Sequence, residues 1–252
     1  MSAFLAAYSG ELSKLLKRKK YIVFLIIGVV ICLLWAVIGS ALSGLIGRHG
    51  GIFISLAPTP MGALPFFLQI LIPLLIFMSA TDLITSEGAE HTMKAIICRP
   101  VERWKLYASK ILAIMTYVAI YLSTIFILST ILNRILGRPL GSFEIFTAFA
   151  SYALTLPTLA VLASFAALIA LMGRSSTLTM LVLVVLYLGM SVLPIIFPIF
   201  GELLFTSYIG WHRLWIGARP ATSRLIHMLI IVFGYGAVFF TAGSLLFERK
   251  EY

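Results

Sequence analysis

Charged residues are scarce in this sequence. They make up 11% of its 252 residues, against about 25% in soluble domains, and 61% of the residues are hydrophobic. A chain with so few charges is not a soluble globular domain. Because a charge at the centre of a bilayer costs about 2.5 kcal/mol or more, the long uncharged runs indicate an all-α integral membrane protein. The net charge of +10 then reflects cytoplasmic loops and contact with anionic lipid rather than nucleic-acid binding.

Cysteine is almost absent as well. Cys32 lies in an apolar run and Cys98 in a polar segment, so their settings give no reason to pair them. The sequence has no CxxC and no Cys/His spacing typical of a metal site. We therefore expect neither a disulfide nor a bound metal.

The familiar catalytic motifs are missing too. The sequence has no GxxxxGK[ST] loop, no HExxH, no GxSxG and no paired aspartates within an apolar run. We expect no catalytic residue and no cofactor in this chain. An intramembrane enzyme and an ion-gradient-driven secondary transporter are the alternatives. The second normally needs ionisable groups at mid-membrane, where this chain has almost none.

Six apolar runs are long enough to cross a bilayer as helices. We expect one membrane domain over residues 1–252, with an interfacial helix and basic anchor in 1–20 and a six-helix bundle in 21–252. Kinks or breaks are expected at Pro65, Pro73 and Pro157. The predicted spans are 21–46, 62–84, 106–132, 145–172, 178–193 and 225–247.

Residues 2–16 are too short and too polar to cross the membrane. Their apolar residues recur at helical spacing, which predicts a helix in the interface plane with Glu11 and Lys14 off its apolar face. Residues 17–20 are all basic and would hold the N-terminus in the cytoplasm. No cleavable signal is expected, because the first apolar run starts late and is too long. The apolar face comprises Phe4, Leu5, Tyr8, Leu12, Leu15 and Leu16.

Residues 194–224 combine helix breakers with apolar residues. Pro194, Pro198 and Gly201 should stop a straight helix, yet the residues around them are apolar. A re-entrant outer hairpin before the last span fits this pattern better than an open loop.

The longest polar interruption, which we call the polar loop, is residues 82–110 between the second and third spans. A helix can begin at Thr85 or Ser86, and it should end before Pro100. Such a helix is either a solvated connector on lipid head groups or a coupling helix that docks on a partner. It would carry the apolar stripe Met93, Ile96 and Ile97 and the favourable pair Glu90 and Lys94.

Asp82 ends the second span, at the start of the polar loop. A carboxylate there needs a cation nearby, and the loop supplies several. We expect an interfacial ion pair with Arg103 or Lys110, and the alternative is that Asp82 lines a pathway.

The polar loop resembles the loop between the second and third membrane helices of ABC-2 type transporter permeases. The pattern of that family is a glutamate, then Gly-Thr, a short apolar run, a proline and an arginine. A lysine follows at the start of the next helix. Here His91 occupies the usual glycine position, which departs from the tight turn of the family. The matching residues are Glu87, Thr92, Ile96, Ile97, Pro100, Arg103 and Lys110.

The resemblance implies the permease subunit of a bacterial ABC exporter in the plasma membrane. Separate ABC ATPase subunits would bind ATP and Mg, and a second permease, identical or related, would complete the pathway. The cargo would be amphipathic, such as an antimicrobial peptide, a drug or a lipid-like molecule, which connects the family with antibiotic resistance. The ATPase-coupling residues implied here are Glu87, Glu90, Thr92, Met93, Lys94, Ile97, Pro100 and Arg103.

Lysine and arginine are unevenly distributed between the two sides of this topology. The bias places both termini and the polar loop in the cytoplasm. The predicted cytoplasmic group is Lys14, Lys17, Arg18, Lys19, Lys20, Lys94, Arg99, Arg103, Lys105, Lys110, Arg174, Arg249 and Lys250, against Arg48, Arg134, Arg138, Arg213, Arg219 and Arg224 outside.

This orientation can be tested with one thiol. In a Cys32→Ser background, a membrane-impermeant maleimide should label Cys98 only after right-side-out cells are opened. Labelling in intact cells would overturn the topology.

Overall fold

The computed structural model describes residues 3–46, 59–89, 102–137, 140–197, 199–215 and 222–249. Every regular element in these ranges is helical, and six helices are long and apolar enough to cross a membrane. The all-α fold and the six predicted spans are confirmed. Helices are expected here because a helix satisfies its own backbone hydrogen bonds in hydrocarbon.

The spans follow one another with short helices before and between them. The order is the N-terminal helix Ala3–Lys17, first span Lys19–Ile46, second span Pro60–Thr85 continued by Ser86–Ala89, third span Arg103–Ile135, fourth span Ser142–Met172, fifth span Ser176–Ile196, short helix Phe200–Leu203, 3₁₀ helix Phe205–Trp215 and sixth span Thr222–Arg249.

The third span is the central column of the bundle. It packs against the N-terminal helix and against the first, second, fourth and sixth spans. Tyr107, Tyr117 and Tyr121 are buried along it, and the Tyr117 hydroxyl donates to the carbonyl of Tyr21 at 2.8 Å. The first, fifth and sixth spans bury far less of their surface within the chain.

The N-terminal helix packs with a face that differs from the prediction. Ala7, Glu11 and Leu15 are buried, whereas Leu5 and Leu16 are exposed. The prediction that Glu11 lies off the packed face is wrong. Spacing by four places Glu11 between the two buried apolar residues, and the third span offers it a charged partner, described below.

Proline interrupts fewer helices than expected. The fourth span is continuous through Pro157, and the fifth continues past Pro194 to Ile196. The break predicted at Pro157 is wrong, whereas the stop predicted around Pro194 and Pro198 is confirmed, since the fifth span ends between them. A helix in a bundle tolerates proline where the surrounding structure compensates for the lost hydrogen bond.

The second span does deviate, through two π-helical turns, Phe67–Leu71 and Thr81–Thr85. Pro73 has no N–H to offer the carbonyl of Gln69, and the Tyr187 hydroxyl of the fifth span donates to that carbonyl at 3.1 Å. The second turn runs without interruption into Ser86–Ala89, so the helix start predicted at Thr85 or Ser86 is wrong.

The 3₁₀ helix folds back onto the bundle. Phe205 is buried, and its ring centroid lies 5.6 Å from those of Phe165 and Phe239 on the fourth and sixth spans. The Thr206 hydroxyl donates to the carbonyl of Met190 at 3.1 Å. The segment therefore packs against the fourth, fifth and sixth spans through these residues. The re-entry of this hairpin into the bilayer stays a prediction.

Close packing of the first span on the third depends on Gly28. A Cβ atom there would lie 2.1 Å from the Tyr121 hydroxyl, and Tyr121 is fully buried. We expect Gly28→Ala to destabilise the protein by about 1–3 kcal/mol, seen as a lower thermal unfolding midpoint in detergent. The matched control is Gly234→Ala in the sixth span, where a Cβ meets nothing within 4 Å. Equal midpoints for the two variants would contradict this packing.

Candidate functional site

Four charged residues form a ring at the base of the polar loop, which we call the ionic neck: Glu11, Lys14, Glu87 and Lys110. Lys110 Nζ lies 2.6 Å from Glu87 Oε2 and 3.2 Å from Glu11 Oε2. Lys14 Nζ lies 2.6 Å from Glu87 Oε1 and 3.0 Å from Glu11 Oε1. Each carboxylate therefore contacts both ammonium groups, and the formal charges of the ring cancel.

Three elements supply this ring. Lys110 lies two turns inside the third span, and Glu87 lies in the short helix that continues the second span. The N-terminal helix contributes Glu11 and Lys14, which are three residues apart. Lys110 Nζ also donates to the carbonyl of Leu83 at 2.8 Å, in the second π turn. The neck thus joins both ends of the polar loop to each other and to the N-terminal helix.

Most of the ring is buried. Lys110 is completely buried, the two carboxylates are nearly so, and Lys14 is partly exposed. Burial alone would raise the pKa of the Glu87 carboxyl, but the ammonium groups of Lys110 and Lys14 outweigh it and hold that pKa below its ordinary value. Burial would lower the pKa of Lys14, but the carboxylates of Glu87 and Glu11 raise it overall. Opposite charges at short range thus stabilise one another where water is excluded.

Asp82 ties the start of the first span to the second span. It is buried, accepts a 2.6 Å hydrogen bond from the Tyr21 hydroxyl, and pairs with Lys20 and, at 3.4 Å, with Arg18. The predicted pairing with Arg103 or Lys110 is wrong. The basic block before the first span supplies the cations, since the first span packs beside this end of the bundle.

Arg103 bonds to the other end of the chain. Its guanidinium donates to the carbonyl of Glu248 at 2.6 Å, in the last turn of the sixth span. A cation there satisfies a carbonyl that the helix leaves unpaired at its C-terminus. The start of the third span is thereby fastened to the end of the sixth.

The structure describes two of the predicted coupling residues, Glu87 and Arg103, and both bond to neighbouring helices. The sequence analysis missed Glu11 and Lys14 as their companions. The sequence did contain one signal for Glu11. It lies four residues from both Ala7 and Leu15, and so shares a helix face with these two apolar residues. The other predicted coupling residues lie outside the described residues: Glu90, Thr92, Met93, Lys94, Ile97 and Pro100.

Six apolar helices, with the third as their central column, define a multi-pass membrane protein. The sequence model of the ABC-2 family transporter protein matches residues 9–209, which include the ionic neck, the first five spans and part of the 3₁₀ helix. The chain therefore belongs to the ABC-2 transporter family, whose members are transmembrane permeases of ABC transporters. Among curated proteins, no sequence matches it.

The ring makes a specific prediction for stability. Glu87→Gln removes the charge closest to Lys110, and we expect the free energy of unfolding to fall by roughly 3 kcal/mol. The matched control is Glu102→Gln, whose exposed carboxylate lies 2.9 Å from Lys105 and should contribute far less to stability, because solvent screens that pair. Thermal unfolding in detergent measures both, and equal losses would contradict a special role for burial.

The stability difference between wild type and Glu87→Gln should also depend on pH. Because the folded-state pKa of Glu87 lies below its ordinary value of 4.5, its contribution is present above that value and is lost as pH falls through the folded pKa. Wild-type protein should lose stability below about pH 4.5 more steeply than Glu87→Gln does. Parallel curves would show that Glu87 titrates no differently in the folded and unfolded chains.

Proposed function

We propose that this chain is the permease subunit of an ABC exporter, driven by ATP hydrolysis in separate ABC ATPase subunits. Family membership supports the class, and one structural observation carries the mechanism. The polar loop leaves and re-enters the bundle through the ionic neck, which joins both of its ends to the N-terminal helix.

In this proposal the polar loop docks on the ATPase. Residues 90–100 would make the contact, while Glu87 and Arg103 would pass its movement to the helices they bond. A displacement of the loop would then pull on the N-terminal helix through Lys14 and on the sixth span through the carbonyl of Glu248. The buried ion pairs of the ionic neck suit this task. Separating them costs more free energy than sliding apolar side chains past one another, so the joined helices should move together.

A lateral groove supports an amphipathic cargo. It has a volume of 610 Å³ and lies between the second and fifth spans and the 3₁₀ helix. Amide and hydroxyl groups alternate there with aliphatic side chains, which suits a molecule with polar and apolar parts, such as an antimicrobial peptide, a drug or a lipid-like compound. The lining includes Gln69, Tyr187, Ser191, Thr206, Leu188 and Ile209.

The weakly buried spans support an assembly of two permeases. The first, fifth and sixth spans leave most of their apolar surface uncovered within one chain. A second permease, identical or related, would cover part of that surface and lipid the rest. The proposed assembly lies in the plasma membrane with both termini and the polar loop in the cytoplasm, ATP and Mg on the ATPases, and the hairpin at residues 195–205 closing the exit.

The docking proposal is tested at Ile97, because an interface loses affinity when a charge replaces an apolar anchor. Ile97→Asp should reduce co-purification of the ATPase at least tenfold, and any residual complex should lose cargo-stimulated ATP hydrolysis, since buried unpaired charges cost on the order of 3 kcal/mol. The tagged permease is purified in mild detergent with its co-expressed ATPase, and ATP turnover is measured in lipid.

Two controls keep the result specific. Ile97→Val retains the apolar contact and should behave like wild type. The thermal midpoint of Ile97→Asp should match that of wild type, because the ionic neck does not include it. Full ATPase recovery and unchanged turnover with Ile97→Asp would remove the loop from the mechanism.

A further inference from the structure

A second groove lies between the third and fourth spans, towards the end of the bundle away from the ionic neck. Its volume is 400 Å³, within the range of small-molecule sites. Its lining is free of charged residues. The lining residues are Ala119, Leu122, Ser123, Phe126, Ile127, Phe149, Tyr152, Ala153 and Leu156.

The groove opens sideways from the bundle. Leu122 and Tyr152 form a buried floor, whereas Ile127 and Phe149 on the rim are 55% and 58% exposed. The Tyr152 hydroxyl is turned to the carbonyl of Pro60, to which it donates at 3.0 Å. The groove therefore presents an apolar surface to the surrounding bilayer.

Its shape is long and narrow. The contributing residues of the third span, 119 to 127, extend about 12 Å along the helix axis, close to the depth of one leaflet's hydrocarbon. Small side chains at Ala119, Ser123 and Ala153 leave the space, and the ring of Phe126 lies between those of Phe149 and Tyr152, at 6.0 and 5.2 Å. An empty groove would forfeit dispersion contacts, and a flexible hydrocarbon chain can restore them.

Arg134 lies on the same face of the third span as the groove, beyond the end of the groove that is farther from the ionic neck. Arg134 follows Ile127 by seven residues, which is two helical turns or about 10 Å. Its side chain is exposed and has no ion pair within 4 Å among the described residues. The carboxylate of Glu144, in the first turn of the fourth span, accepts from the Gly141 N–H.

The depth of Arg134 suits a lipid phosphate. It lies 24 residues beyond Lys110 on the same helix, about 36 Å along the axis, and the hydrocarbon core is about 30 Å thick. With the ionic neck at one head-group region, Arg134 reaches the other. Arginine can bind phosphate through two parallel hydrogen bonds.

We propose that this groove binds one acyl chain of a glycerophospholipid whose phosphate is held by Arg134. The site rests on the six-span fold and the two helix faces, and is independent of the proposed transport function. It would hold a lipid in the leaflet opposite the ionic neck and fill the gap between the third and fourth spans.

Native mass spectrometry of the detergent-purified full chain tests the site, with dioleoyl-phosphatidylglycerol and dioleoylglycerol as probes. Wild type should bind one phosphatidylglycerol per chain. Ala153→Phe, which fills the groove, should lower binding of both probes at least fivefold. Arg134→Gln should lower binding of phosphatidylglycerol alone, because the diacylglycerol has no phosphate.

The controls separate a site from annular lipid and from misfolding. Val185→Phe adds the same bulk at an exposed position of the fifth span and should bind both probes like wild type. Ser123→Leu is a second filling variant, and it should repeat the Ala153→Phe result with an unchanged thermal midpoint. Undiminished binding in both filling variants, or an equal loss in Val185→Phe, would overturn the proposal.

Discussion

The completely buried ammonium of Lys110 constrains this end of the bundle more than any other group. A buried charge is tolerated only with close counter-charges and hydrogen bonds, and Glu87, Glu11 and the carbonyl of Leu83 supply them. Glu11 belongs to the N-terminal helix, so that helix must pack on the third span for the charge to be neutralised. The second span must likewise continue past Thr85 as a helix to bring Glu87 within reach. One lysine thus accounts for the placement of two elements.

The same constraint explains how the polar loop is held. Asp82 and Arg103 lie at its two ends and bond to the first and sixth spans, while the ionic neck bonds its base to the N-terminal helix. Three separate elements, the N-terminal helix and the first and sixth spans, therefore bond to the polar loop. In the proposed exporter, a push on the loop reaches all of them together. The π turns in the second span mark the two places where its regular hydrogen bonding changes, one at the neck and one beside the larger groove.

Local patterns predicted some of this and misjudged the rest for identifiable reasons. The six spans and the position of the polar loop follow from apolar runs and charge. The break at Pro157 was wrong, because a bundle compensates a proline that would interrupt an isolated helix. Glu11 was assigned to the wrong face, because a carboxylate counts as polar in a periodicity until its buried partner is known. Asp82 was paired within its own loop, since sequence proximity says nothing about the basic block 62 residues or more earlier.

The linear pattern of apolar and charged residues by itself determined that this chain belongs in a membrane, how many spans it has, and where its longest polar segment lies. These follow from transfer free energies that act on each residue separately, whatever its neighbours in space. Only the tertiary structure decided which charge neutralises which, where the second span forms π turns, and which apolar faces are left for lipid or another chain. Those choices depend on contacts between residues far apart in sequence, such as Lys14 with Glu87, and no local pattern contains them.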